Sequence, residues 1–437
     1  MTPISIELPH TQHSGTSLIQ RIGLGACVIG FLLLFVALTN ISAAYPVLLF
    51  ILSAGLICAG AMIYILPELW QSRPGIKHNN LVKLSGTSRG LLGWLVAVFL
   101  TGFYVVLYWF PGQLQNLIRT VDWLSNLLRG KPADQWFLYG TYYTLAILVM
   151  GIRMIIKNRH SRYQLVRTLS VMFFQLGFAY LIPAFLVMMN QPEFYFSYFW
   201  PLKYSYLFPN DVHWLMNQPG GLGLFMIFWG AVMTFVATPI LTYFFGKRWY
   251  CSWVCGCGGL AETLGDPYRQ LSDKTLKAWK LERITIYSVL IFIVLTTVSL
   301  WLNSWTNGGV FHEWSTRLSS WYGFLIGALF SGVIGVGFYP LFGSRVWCRF
   351  GCPMAAVLGI FQKYFSRFRI TTNGGQCMSC GNCSTYCEMG IDVRSYAQRG
   401  ENIVRASCVG CGICSAVCPR GVLNLENGPP DTRINFG

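Results

Sequence analysis

The residues best suited to chemistry in this 437-residue chain are its 15 cysteines, most of which fall in four groups. Cys377-x2-Cys380-x2-Cys383-x3-Cys387 is followed by Cys408-x2-Cys411-x2-Cys414-x3-Cys418-Pro419. Three thiolates at i, i+3 and i+6 curl around one 4Fe-4S cubane, while the fourth, after a three-residue gap, points to a neighbouring cluster. The crossed assignment gives Cys377, Cys380, Cys383 and Cys418 to one cluster and Cys408, Cys411, Cys414 and Cys387 to the other. Gly381, Gly410 and Gly412 let backbone N–H groups approach the sulfurs. A zinc ribbon needs two cysteine pairs, not two quartets, and disulfides do not persist in a reducing cytoplasm. The two runs differ after their last cysteine, where Pro419 follows Cys418 but Glu388 follows Cys387.

The other two groups form a repeat. Phe245-Gly-Lys-Arg248-Trp-Tyr-Cys251-x3-Cys255 aligns with Phe342-Gly-Ser-Arg345-Val-Trp-Cys348-x3-Cys352. The spacing implies a duplicated two-span unit, and parallel repeats bring two cysteine pairs face to face. Cys251, Cys255, Cys348 and Cys352 then supply four thiolates, enough for an additional iron–sulfur cluster; zinc and a dithiol–disulfide couple use the same groups. Cys257 lies in the first copy alone and competes with Cys255 for the inner ligand position. Cys27 and Cys58, isolated in apolar runs, read as small buried hydrophobes.

The elements that must position these groups are membrane helices. The chain is 54% hydrophobic and 11% charged, well below the charge of a soluble domain. Apolar runs at about 22–44, 46–68, 89–111, 137–152, 168–190, 222–246, 284–304 and 319–342 each approach the length that crosses a bilayer. Segments assigned to the inside hold 27 of the 32 Lys and Arg residues, which places both termini in the cytoplasm. The net charge of +16 is spread over loops beside spans, so it speaks for the lipid surface and not for nucleic acid. The expected organisation is a cytoplasmic segment over 1–21, a four-span region of unknown role over 22–152, duplicated two-span units over 168–365 and a ferredoxin-like tail over 366–437. The fold class is thus an α-helical polytopic membrane protein of about eight spans with a small α+β dicluster ferredoxin domain. A short amphipathic helix is expected along the inner surface between 266 and 283. Ten aromatics in QPEFYFSYFWPLKYSYLFPNDVHW read as a headgroup-level belt, or as a docking surface for a quinone or outer partner.

The paired motifs and the dicluster tail resemble the NapH/NosR/CcoG group of membrane polyferredoxins over roughly residues 168 to 425. The resemblance implies electron movement between cytoplasmic donors or the quinone pool and periplasmic redox partners, in a bacterial inner membrane. It implies the eight tail cysteines as cluster ligands and Cys251, Cys255, Cys348 and Cys352 as the membrane motifs. No bond-making active site is expected. A copper or iron reductase serving cofactor assembly, and a scaffold with structural or sensory clusters, are the alternatives. The six histidines, at positions 10, 13, 78, 160, 213 and 312, fall outside the expected spans, which disfavours an intramembrane bis-histidine haem. His213 and His312 each precede an even-numbered span and are candidates for an outer-face metal, haem or quinone site.

Overall fold

The computed structural model describes residues 17–71, 85–206 and 208–428; His10, His13 and His78 lie outside them. Among the described residues, eight helices are long and apolar enough to cross a membrane: Leu18–Ala37, Pro46–Pro67, Leu91–Trp109, Gln135–Lys157, Arg162–Met188, Leu222–Phe245, Leu276–Trp305 and Glu313–Ile334. Their flanks turn large apolar side chains outward, as at Leu91, Phe228 and Ile284, the arrangement a lipid solvent favours. Local chemistry sets several starts. Ser17 and Gln20 form a capping box, and Asp134 and Thr275 accept from Phe137 N and Ala278 N. The first two helices cross at glycines: a Cβ on Gly60 would lie 2.6 Å from Gly23 O, so these backbones approach as only small residues permit.

All eight expected spans are present with shifted ends. The fourth, read as 137–152, continues to Lys157 and thereby carries Arg153 and Lys157. The amphipathic helix expected over 266–283 is corrected: Asp266–Leu271 is a 3-10 turn, and Leu276, Trp279 and Leu281 open the seventh span. Their periodicity runs unbroken into the apolar sequence that follows. The first four spans do not stand apart, since Tyr104, Leu107 and Leu138 share a core with Val333 of the eighth.

After Phe365 the chain forms the strand Arg369–Thr372, which pairs antiparallel with Leu423–Glu426 and so ties the two ends of the cysteine-rich tail together. One core runs from Trp249, Cys251, Cys348 and Cys352 into Ile370, Val409 and Val422. The tail is packed directly on the membrane part.

Candidate functional site: two cysteine cavities and a buried membrane motif

Each tail run makes a loop and then a single helical turn, Asn382–Thr385 or Ile413–Ala416, entered through Gly381 (φ 78°) or Gly412 (φ 74°). These left-handed residues suit glycine, although Ser379 (φ 57°) holds in the first run the place of Gly410 (φ 62°) in the second. One cavity is lined by Cys377, Cys380, Cys383 and Cys418, the other by Cys387, Cys408, Cys411 and Cys414. The crossing expected from the spacing is therefore the arrangement of the cavity walls. The two cavities are nearly equal in size and suit like occupants. Ile391 N donates to Cys387 Sγ and Val422 N to Cys418 Sγ, both at 3.4 Å, so the two fourth cysteines keep equivalent environments despite Glu388 and Pro419. Burial pushes the Cys383 and Cys408 thiols up to about 11; loss of those protons then requires a bound cation such as iron. Cys380 is exposed whereas Cys408 and Cys414 are buried, which makes the first cavity the outer one.

The membrane motifs are two copies of one hairpin that follows the sixth and eighth spans. Gly246 (φ 65°) and Gly343 (φ 93°) turn the chain back, and short helices Arg248–Cys251 and Val346–Phe350 follow. Cys255 and Cys352 then stand at the start of Gly256–Glu262 and Pro353–Tyr364. This irregular backbone is enclosed by protein, with Cys251, Cys348 and Cys352 all buried. Cys251, Cys255, Cys348 and Cys352 lie within electrostatic reach of one another. Burial pushes Cys251 up to about 12, while Arg345 donates to Cys348 Sγ at 3.6 Å and to Cys251 O at 3.3 Å. The Cys257 thiol, hydrogen-bonded to Cys255, holds Cys255 below the usual thiol range and is itself pushed up. Cys257, like Cys255, is within electrostatic reach of Cys348 and Cys352, so the two share the inner position. Cys257 lies toward Tyr139 and Tyr143 of the fourth span. All the cysteines are free, and among the described residues no three His, Cys, Asp or Glu side chains gather as ligands of a single ion.

A buried chain of charges joins tail to motif. Asp266 accepts from Arg153 at 2.8 Å, Lys157 at 2.6 Å and Arg269 at 3.2 Å. Arg269 also meets Glu388 at 3.0 Å; Arg345 meets Glu388 at 3.0 Å and Glu262 at 2.5 Å; and Arg167 closes on Glu262. Burial alone would raise Asp266, yet Lys157, Arg153 and Arg269 hold it well below the carboxylate range; Glu388 is likewise held low by Arg269 and Arg345. Five cations face three carboxylates, an excess that suits an anionic neighbour. The chain begins next to Cys387, at Glu388, and reaches Cys348 through Arg345, whereas Arg248 serves the interface otherwise, bonding Asn427 and stacking 4.7 Å over Phe368. Membrane-side groups also bond the backbone of the second tail loop: Lys247 to Ala406 O, Ser252 to Val409 O, Tyr163 to Gly410 O and Gln164 to Cys411 O. The sequence marks Arg248 and Arg345, repeated beside the cysteine motifs, and Glu388, through its departure from proline; the other partners come from elsewhere in the chain and carry no local signal.

The aromatic-belt expectation is corrected for the segment after Gln191. Phe199 is fully buried and its ring lies 5.8 Å from that of Tyr250, beside Cys251. Tyr204 lies 5.2 Å from Tyr322, which is within electrostatic reach of Cys352. The loop folds inward because its rings pack against the hairpins, Phe199 sharing a core with Tyr250 and Cys251. His213 engages Asn217 and His312 engages Gly308 O, each within its own segment.

Residues 227–275 and 322–372 each match a family model described as a 4Fe-4S binding domain, and residues 376–423 match a 4Fe-4S dicluster domain. The chain is 25% identical over 175 residues to a putative electron transport protein YccM of Escherichia coli, a stretch covering 38% of this chain and 49% of that protein. It is 27% identical over 166 residues to the uncharacterized protein MJ0749 of Methanocaldococcus jannaschii, covering 37% and 59%. The chain thus matches only about half of the length of these relatives. No solved structure matches. The chain carries 4Fe-4S binding domains, with the dicluster domain in its tail and the other type repeated across the two hairpins.

Proposed function

We propose that this protein is a membrane-bound iron–sulfur electron carrier of the NapH/NosR/CcoG type, relaying electrons between a cytoplasmic donor or the quinone pool and a membrane or periplasmic redox partner. In this reading Cys377, Cys380, Cys383 and Cys418 hold one 4Fe-4S cluster, Cys387, Cys408, Cys411 and Cys414 a second, and Cys251, Cys255, Cys348 and Cys352 a third. Such clusters supply reversible one-electron transfer. The observation that carries the reading is the convergence of both Cys-x3-Cys pairs in one buried core that continues into the tail.

The protein's own work is placement and tuning. Exposed Cys380 gives a soluble partner access to the outer cavity. The Glu388–Arg345 contact fixes the second cavity against the hairpins, and Phe199 and Tyr204 close their far side to water. The distribution of basic residues supports a bacterial cytoplasmic membrane with both termini inside. The expected divisions at 152, 168 and 365 then mark a supporting four-span region, the paired hairpin units and the soluble tail. Anaerobically purified protein should be reduced by a quinol or a low-potential donor, followed by EPR; failure with both contradicts electron transfer.

A further inference from the structure

A cavity of about 300 Å³ opens between the seventh span and the tail, and its wall carries Lys247, Arg283, Arg349, Lys363 and Arg405 against one carboxylate, Glu282. Arg349 consumes that carboxylate in a 2.9 Å ion pair. Among the described residues the other four cations make no carboxylate contact: Lys247 bonds Ala406 O, Lys363 bonds Tyr364 OH, and Arg283 and Arg405 lie 5.2 and 4.9 Å from the Trp279 ring. Lys247, 2% exposed, is within electrostatic reach of Cys251, Cys348 and Cys408, which leaves Arg283, Lys363 and Arg405 as the cations that answer to the cavity. The same wall has an apolar part, Ile286 and Ala355, where the seventh span enters the apolar zone.

We propose that this cavity is a binding site for an anionic glycerophospholipid. Its phosphate is held by Arg283, Lys363 and Arg405, and the start of its acyl chains lies along Ile286. Basic pockets beside membrane helices at headgroup depth recognise such lipids by charge, and stacking on Trp279 presets the two guanidinium groups for bidentate contact with a phosphate. Cys348 is part of the wall, so the lipid sits beside a membrane-motif cysteine.

The test is native mass spectrometry of the full-length protein with added phosphatidylglycerol, phosphatidylcholine or inorganic phosphate. Phosphatidylglycerol should be retained in preference to phosphatidylcholine, and the Arg283→Gln/Arg405→Gln double variant should lose about tenfold or more in affinity, as expected when charge-assisted bonds are removed. Iron content measured on the same sample reports that the variant has folded; each single variant, with a smaller loss, replaces the double one if iron falls. Equal retention of the two lipids, or full retention by iron-loaded variants, overturns the proposal. Displacement of phosphatidylglycerol by inorganic phosphate assigns the site to a free phosphate compound and overturns the lipid assignment.

Discussion

Glu388 lines the second cysteine cavity and pairs with Arg269 and Arg345 of the membrane part. In sequence it was a missing proline after Cys387; in the fold it is a fully buried carboxylate between Arg269 and Arg345, within one ion chain that extends to Cys348. Buried ion pairs are poor evidence for stability but strongly penalise loss of one partner. Replacing Glu388 with Gln removes a negative charge beside the second cavity while retaining shape. A cluster gains negative charge on reduction, so the variant should show a midpoint potential raised by about 40 to 90 mV, equivalent to ~1–2 kcal/mol. A redox titration followed by EPR reads this directly, and an unshifted potential would detach the ion chain from the electron-transfer role. The cysteine spacing was legible because all its information is local. Arg153, Asp266 and Glu262 were not, because their partners arrive from elsewhere in the chain and only the fold assembles them.

At the scale of elements, the repeat was legible from paired Phe-Gly-x-Arg sequences, but the hairpin shape was not. Gly246 and Gly343 show why: both take φ in the left-handed region, and a Cβ on Gly343 would lie 2.8 Å from Ser272 N. Gly343→Ala should therefore destabilise the protein by about 2 kcal/mol or more, seen as a lower thermal midpoint and earlier loss of iron. Gly327→Ala, where an added Cβ meets nothing, should leave both unchanged. Equal behaviour of the two variants would show that the backbone at 343 is not constrained. Eight spans could be read because lipid-facing helices advertise themselves as apolar runs. Their ends could not, as at Leu276, where amphipathic and apolar sequence form one continuous helix. The aromatic loop after Gln191 was misplaced for a related reason: composition fits both a headgroup belt and an internal plug, and only packing against Tyr250 distinguishes them.

For the whole molecule, the ion chain that joins tail to membrane part depends on Asp266 and Glu388 staying ionised. Asp266 is held well below its unfolded value, so its contribution is fully present above the usual carboxylate pKa near about 4 and is lost as pH falls below it. Asp266→Asn leaves Arg153, Lys157 and Arg269 without that partner and should cost about 3 kcal/mol at neutral pH. The gap from wild type should narrow as pH drops below about 4 in thermal unfolding scans; a gap independent of pH would place the effect elsewhere than in charge. Four cysteines from the two membrane hairpins are proposed to hold a third cluster on the membrane side of the dicluster tail. Iron and sulfide quantitation on anaerobically purified full-length protein tests it most directly. About twelve irons are expected, falling to about eight when Cys251 and Cys348 are changed to Ser and staying near twelve in Cys257→Ser. About eight irons in wild type, unchanged by Cys251→Ser and Cys348→Ser, would contradict it.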